Sequence, residues 1–151
     1  MLYSIKKVHL IGIGGIGMSG IAELLKNKEF VVSGSDIADS PNVKRLIDLG
    51  INVSIGHNKE NISDAELVIY SDAIPKDNPE LIEALAKNII VYSRARMISE
   101  IAKLNNSTVA IAGTHGKTTT TSMVGTILKS MNLDPTICLL YTSDAADDSL
   151  G

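Results

Sequence analysis

The chain has 151 residues, 44% of them hydrophobic and 21% charged, with a net charge of −3 and a pI near 5.5. That apolar content is enough to bury a core, and with one Phe and no Trp the core must be aliphatic. The slight acidic excess gives no electrostatic reason to expect nucleic acid or an anionic membrane as a partner, and points instead to small molecules.

Lys6-Lys7 followed by VHLIGIGGIGMSGIA has the outline of a secretory signal, but five glycines interrupt the run and a strand, a turn and a helix account for it. No other run is long enough to span a bilayer. The first strand is expected over Ile5–Ile13, followed by a helix over Ile16–Asn27 with Ile21, Leu24 and Leu25 facing inward. Phe30–Ser35 reads as a second strand, ending at Asp36. Ser40-Pro41 opens a helix, because a serine side chain can cap exposed amides and proline suits the first helical position. Gly50 stops that helix, and Val43, Leu46 and Ile47 are expected to face the sheet. Strands follow at Ile51–Ile55, Leu67–Tyr70 and Ile89–Tyr92, with helices over Pro79–Lys87 and Arg94–Leu104. Short apolar runs alternating with helical patterns predict an α/β fold, a Rossmann-like doubly wound parallel sheet.

The polar break Asn105-Asn106-Ser107 is read as a linker between residues 1–104 and a second domain that starts at residue 108. There Thr108–Ala112 is expected to be a strand, Gly113–Gly116 a loop, and the following segment a helix with Val124, Ile127, Leu128 and Met131 on one apolar face. One strand and one helix cannot bury that face, so the helix is expected to be exposed. The methionines in the helices are read as core residues.

Two loops carry the chemistry. Gly12-Ile13-Gly14-Gly15-Ile16-Gly17 fits G-x-G-x-x-G between a strand and a helix, and Asp36 lies 19 residues beyond Gly17. Glycines there allow a tight turn and close approach to a pyrophosphate, the helix start offers amides and partial positive charge, and the acid can accept a ribose hydroxyl. The pattern by itself fits NAD and a UDP-sugar equally. Gly113-Thr114-His115-Gly116-Lys117-Thr118 departs from the full Walker pattern, since Ile111 stands where the first glycine belongs. It still has the parts of a P-loop: amides for the phosphates, Lys117 for β/γ charge, and the Thr118 hydroxyl for Mg²⁺. Thr119 and the rest of the threonine run fit a helix start, where hydroxyls meet open amides or a metal.

The segments GIGGIGMSGIAELL, VSGSD, IGH, AIPKDNPEL and AGTHGKTTTTSM together resemble the Mur ligases of bacterial cell-wall synthesis, over Lys6 to Ile137. Within that family the resemblance is to the branch that joins L-alanine to UDP-N-acetylmuramate. It implies a cytoplasmic, ATP- and Mg²⁺-dependent ligase of peptidoglycan synthesis that works through an acyl phosphate. It implies substrate contacts at Gly12, Gly14, Gly15, Ile16, Gly17, Asp36, Ser71 and His57, and ATP contacts at Gly113, Thr114, His115, Gly116, Lys117, Thr118 and Thr119. Lys117 and His115 are the candidate catalytic residues and Thr118 the candidate metal ligand. His57 is expected to make either a structural hydrogen bond or a ligand contact, His115 either to touch ATP or to orient its loop, and His9 to be a satisfied core residue. Two positions depart from the family: Asp72 stands where relatives carry serine, and Arg96 where they carry glutamate. Ser71 is therefore kept in the site and Asp72 is not. The competing readings are an NAD-dependent Rossmann oxidoreductase and a noncatalytic nucleotide-binding module.

The resemblance stops after Ile137, where CLLYTSDAADD begins. Residues 138–151 read as translated adapter sequence, which removes the lone Cys138 from any inference about redox compartment. The expectation is a fragment of a longer ligase that binds the UDP-sugar weakly or moderately, binds MgATP poorly and turns nothing over.

Overall fold

The computed structural model describes residues 4–104 and 107–137. The expected adapter-derived tail, residues 138–151, and two of the three expected linker residues lie outside them. The chain divides into two compact units, Met1–Asn105 and Asn106–Gly151.

The first unit is a five-stranded, all-parallel sheet with strand order β3-β2-β1-β4-β5. Its elements run β1 (Lys7–Ile11), α1 (Ile16–Asn27), β2 (Val31–Asp36), α2 (Pro41–Asp48) and β3 (Asn52–Ile55). A 3₁₀ turn (Lys59–Ile62) follows, then β4 (Leu67–Tyr70), α3 (Pro79–Ala86), β5 (Ile90–Ser93) and α4 (Arg94–Lys103). Helix starts are set by side chains that accept the first orphan amides. The Ser40 hydroxyl accepts from the Val43 amide at 3.3 Å, Asn78 Oδ1 from the Glu80 amide at 2.9 Å, and the Ser93 hydroxyl from the Arg96 amide at 3.3 Å. Pro41 and Pro79 follow the first two of these caps, where their missing N–H costs nothing.

Alternation along the strands builds two cores, one on each face of the sheet. Leu10, Leu67 and Ile69 point to the side of α1, α2 and α4, where they bury Met18, Ile21, Leu25, Leu46, Met97 and Ile101. Their neighbours Ile11 and Val68 point to the other side and pack with Ile62, Leu81 and Ala84. Each such buried aliphatic side chain contributes about 1.5–3 kcal/mol. Parity also puts His9 on the α3 side, and it is buried there.

The structure trims several expected elements. The first strand ends at Ile11, and Ile13, although fully buried, belongs to the turn that follows. Ile47 is 47% exposed because it sits one position round from Leu46, at the edge of a short helix whose buried residues are Val43 and Leu46. In the second unit, residues 108–112 form no strand, since none of the described residues supplies a neighbour for a ladder and Val109 is left exposed. The helix α5 (Lys117–Ser130) forms as expected, and Gly125 is its buried residue, packed against Ile137. Met123, Ile127 and Met131 are exposed, so only Met18 and Met97 fit the reading of helical methionines as core.

Candidate functional site

Strand order reverses across β1, because α1 carries the chain to β2 on one side while β4 is added on the other. Ligands of open parallel sheets bind in the crevice beyond the carboxyl ends of the strands at such a point. The loops after β1 and β4 meet there: a methyl group added to Gly12 would sit 3.3 Å from both Ser71 and Ile74.

The glycine loop is held by the end of β2. The Ser35 carbonyl accepts from the amides of Gly12 and Ile13 at 2.8 and 3.0 Å, and Asp36 Oδ2 accepts from the Gly14 amide at 2.8 Å. Gly12 reaches this turn with φ of +78°. Gly14 has no room for a side chain, since its Cβ would lie 2.8 Å from Val43 and 2.9 Å from the Asp36 carboxylate. Asn42 donates from Nδ2 to the Gly14 carbonyl at 2.9 Å, and the Gly15 amide donates to the Gly12 carbonyl at 3.2 Å. Gly15 is the N-cap of α1 and has no side chain to cap the first-turn amides of Ile16, Gly17 and Met18. Gly15 and Ile16 are exposed. The open, electropositive surface is therefore the first turn of α1.

Of the expected substrate residues, Gly12, Gly14, Gly15, Ile16 and Gly17 form the loop and first helical turn at this point, and Ser71 follows β4 beside Gly12. Asp36 is turned onto the loop itself: its second oxygen accepts from the Ala38 amide at 3.1 Å. Arg94, which the sequence reading did not single out, starts α4 with its guanidinium beside Gly17, where an added Cβ would come within 2.7 Å of Nη1. Its Nη2 lies 3.5 Å from Asp72 Oδ2. The Asp72 carboxylate thus faces an arginine at the mouth of the helix. Arg96 stacks over the Tyr92 ring at 5.1 Å and has its Nε 3.6 Å from Glu100.

His57 and His9 meet in a buried polar cluster around Glu80, a residue absent from the expected site. Glu80 is fully buried. Its Oε2 accepts from the Ser35 hydroxyl at 2.6 Å and from His9 Nε2 at 3.2 Å; its Oε1 accepts from Asn61 Nδ2 at 2.6 Å and from the Asn58 amide at 3.1 Å. Ser35 spends its only hydroxyl proton on Glu80, so at its 2.9 Å contact with His57 Nδ1 it accepts, and that nitrogen carries the proton. His9 is the satisfied core residue expected, with Nδ1 2.9 Å from the Ser33 hydroxyl. Burial pushes the Glu80 carboxyl up, but hydrogen bonds from His9, Ser35 and Asn61, with the attraction of His9, outweigh it and hold the group at about 2.

In the second unit, Gly116 caps α5 in the left-handed region, with φ of +77°. Lys117 donates from Nζ to the Gly113 carbonyl at 2.6 Å, closing the loop into a ring. Gly113, Thr114, His115, Thr118 and Thr119 are exposed on it, with α5 offering its first-turn amides. Among the described residues no three His, Cys, Asp or Glu side chains cluster as a metal site. The Thr118 side chain is one exposed oxygen at this helix start.

A profile of the Mur ligase family, catalytic domain, matches residues 7–106. A UDP-N-acetylmuramate--L-alanine ligase of Xanthobacter autotrophicus is 58% identical over 130 residues, 86% of this chain and 27% of that protein. One from Rhizobium meliloti is 59% identical over the same length, with the same coverage of 86% and 27%. Among solved structures, UDP-N-acetylmuramate-alanine ligase from Thermotoga maritima superposes with a TM-score of 0.77 at 36% identity, covering 83% of this chain and 30% of that one. UDP-N-acetylmuramate:L-alanyl-gamma-D-glutamyl-meso-diaminopimelate ligase from Neisseria meningitides gives 0.78 at 30% identity, covering 90% and 44%. The chain spans just over a quarter of the length of the alanine ligases it matches. The matched residues take in the whole parallel sheet and the crevice at its reversal point, and on that ground the chain belongs to the Mur ligase family.

Proposed function

We propose that residues 1–104 bind UDP-N-acetylmuramate, that residues 108–137 begin an ATP-binding domain, and that the parent protein is the cytoplasmic ligase that joins L-alanine to the sugar nucleotide. The observation that carries this reading is the open first turn of α1 at the sheet's reversal point in a chain so close to alanine ligases. Ile16 and Gly17 would give amides to the diphosphate, with the Arg94 guanidinium close by. Ser71 and the exposed flank of Gly15 would shape the pocket, while Gly12, Gly14 and Asp36 fix the loop. His57 Nε2, an acceptor when the ring is neutral and Nδ1 keeps its proton, is the atom available to a substrate hydroxyl.

In the reaction, a carboxylate oxygen of the muramate attacks the γ-phosphorus of ATP, ADP leaves, and an acyl phosphate results. The alanine amine then attacks the acyl carbon, the amide forms and inorganic phosphate departs with loss of a proton. Bound magnesium supplies charge neutralisation at the phosphates. Lys117 neutralises charge developing between the β- and γ-phosphates, and Gly113, Thr114, Gly116 and Thr119 position them through amides and hydroxyls. His115, exposed within the loop, would either contact the transferred group or orient the loop.

Calorimetric titration of the 151-residue chain with UDP-N-acetylmuramate and with NADH separates this reading from an oxidoreductase. We expect heat from the sugar nucleotide and none from NADH, and phosphate release at background when ATP, Mg²⁺ and L-alanine are added. NADH binding without sugar-nucleotide binding would overturn the proposal.

A further inference from the structure

We infer that Glu80 is a positioning residue for the glycine loop, acting through Ser35; that the positioned loop receives a sugar nucleotide rests on the reading above. Glu80 lies on the α3 side of the sheet, whereas α1 and its core lie on the other. Its two oxygens collect four donors from β1, β2 and the segment after β3. A buried carboxylate so placed is no better for stability than a well-packed apolar residue, but it imposes one arrangement on everything that donates to it.

Ser35 passes that arrangement on. Its hydroxyl is fixed under the sheet at 2.6 Å from Glu80, and its carbonyl receives the Gly12 and Ile13 amides. The next residue, Asp36, holds the Gly14 amide. Three consecutive loop amides therefore depend on the position of the last two residues of β2. Glutamine at position 80 would either set its NH₂ group against the Asn58 amide and Asn61 Nδ2 or force the Ser35 hydroxyl and the His9 tautomer to reverse, so the arrangement around Ser35 would not survive unchanged.

The test uses the 151-residue chain, labelled with ¹⁵N, in four forms: wild type, Glu80→Gln, Ser35→Ala, and Ala84→Gly, a helix-weakening change on α3 at a residue that takes no part in the side-chain hydrogen bonds of Glu80 or Ser35. We expect Glu80→Gln and Ser35→Ala to shift the amide resonances of Gly12, Ile13 and Gly14 without ligand, and to weaken UDP-N-acetylmuramate roughly tenfold, the loss of about one hydrogen bond's worth of alignment. Ala84→Gly should lower the melting temperature and leave those resonances and the affinity as in wild type. Unshifted loop amides in Ser35→Ala and in any folded Glu80→Gln would overturn the inference, as would equal shifts in Ala84→Gly. Should Glu80→Gln not fold, Ser35→Ala decides alone. Should wild type not bind the sugar nucleotide, the ligand assignment fails, while the ligand-free resonances still decide the role of Glu80.

Discussion

Replacing Glu80 by glutamine should destabilise the first unit in a way that disappears in acid. The folded carboxyl sits at about 2 against an ordinary value of 4.5. The folded value is the lower one, so this contribution is complete above pH 4.5 and is lost as pH falls toward 2. That difference corresponds to about 3 kcal/mol at neutral pH, of which roughly 2 kcal/mol is gone by pH 3. Urea unfolding of wild type and Glu80→Gln, followed by circular dichroism at several pH values from 7 to 3, measures it. Both chains keep His9 and His57, the titratable side chains facing the carboxylate, so the gap between the two curves isolates position 80. The expected gap is at least about 3 kcal/mol at pH 7, shrinking steadily below pH 4.5. A gap that stays constant down to pH 3 would show that the Glu80 carboxyl binds its proton equally in the folded and unfolded chain, and a gap that widens would show that it is protonated in the native protein; either result would refute the assignment of its donors.

Gly34→Ala would place a Cβ 2.7 Å from the Leu10 carbonyl oxygen and 2.5 Å from Ile13 Cδ1, so β2 and the glycine loop must separate. Urea titration should give a loss of at least about 2 kcal/mol. Asp72→Ser removes a mostly exposed partner of Arg94, and its unfolding free energy should stay within about 1 kcal/mol of wild type. Calorimetry should find sugar-nucleotide affinity raised in that variant, because the Arg94 guanidinium proposed to face the diphosphate loses its carboxylate neighbour. Lys117→Met removes the ammonium that closes the second loop and should cut MgATP affinity by about tenfold or more in an equilibrium binding assay, with the melting temperature of the first unit unchanged.

The glycine loop was legible because everything that defines it is local: a strand, six residues and a helix start, with an acid at the end of the next strand. Spacing suggests Asp36 as a ribose partner; the structure adds that one of its oxygens takes the Gly14 amide, a contact that depends on how β1 and β2 pair and not on spacing. The Glu80 cluster was invisible for the same reason. Its donors come from His9, Ser35, Asn58 and Asn61, and in the sequence Asn78-Pro79-Glu80 looks like nothing more than a capped helix start. The apolar pattern at residues 108–112 was a fair strand signal, but pattern supplies only a willing edge; the ladder requires a neighbour. Arg94 was hidden by its position as the first residue of α4, where a basic side chain carries no motif.

Because the β2 terminus ties down three successive backbone N–H groups, the mouth of α1 is cast before any guest arrives. A ligand entering a mould of this kind surrenders its own freedom but asks little ordering of the host, so more of the contact energy survives as affinity. Weak binders built by loosening this fastening should consequently differ from the parent mainly in entropy, and in how fast the guest departs.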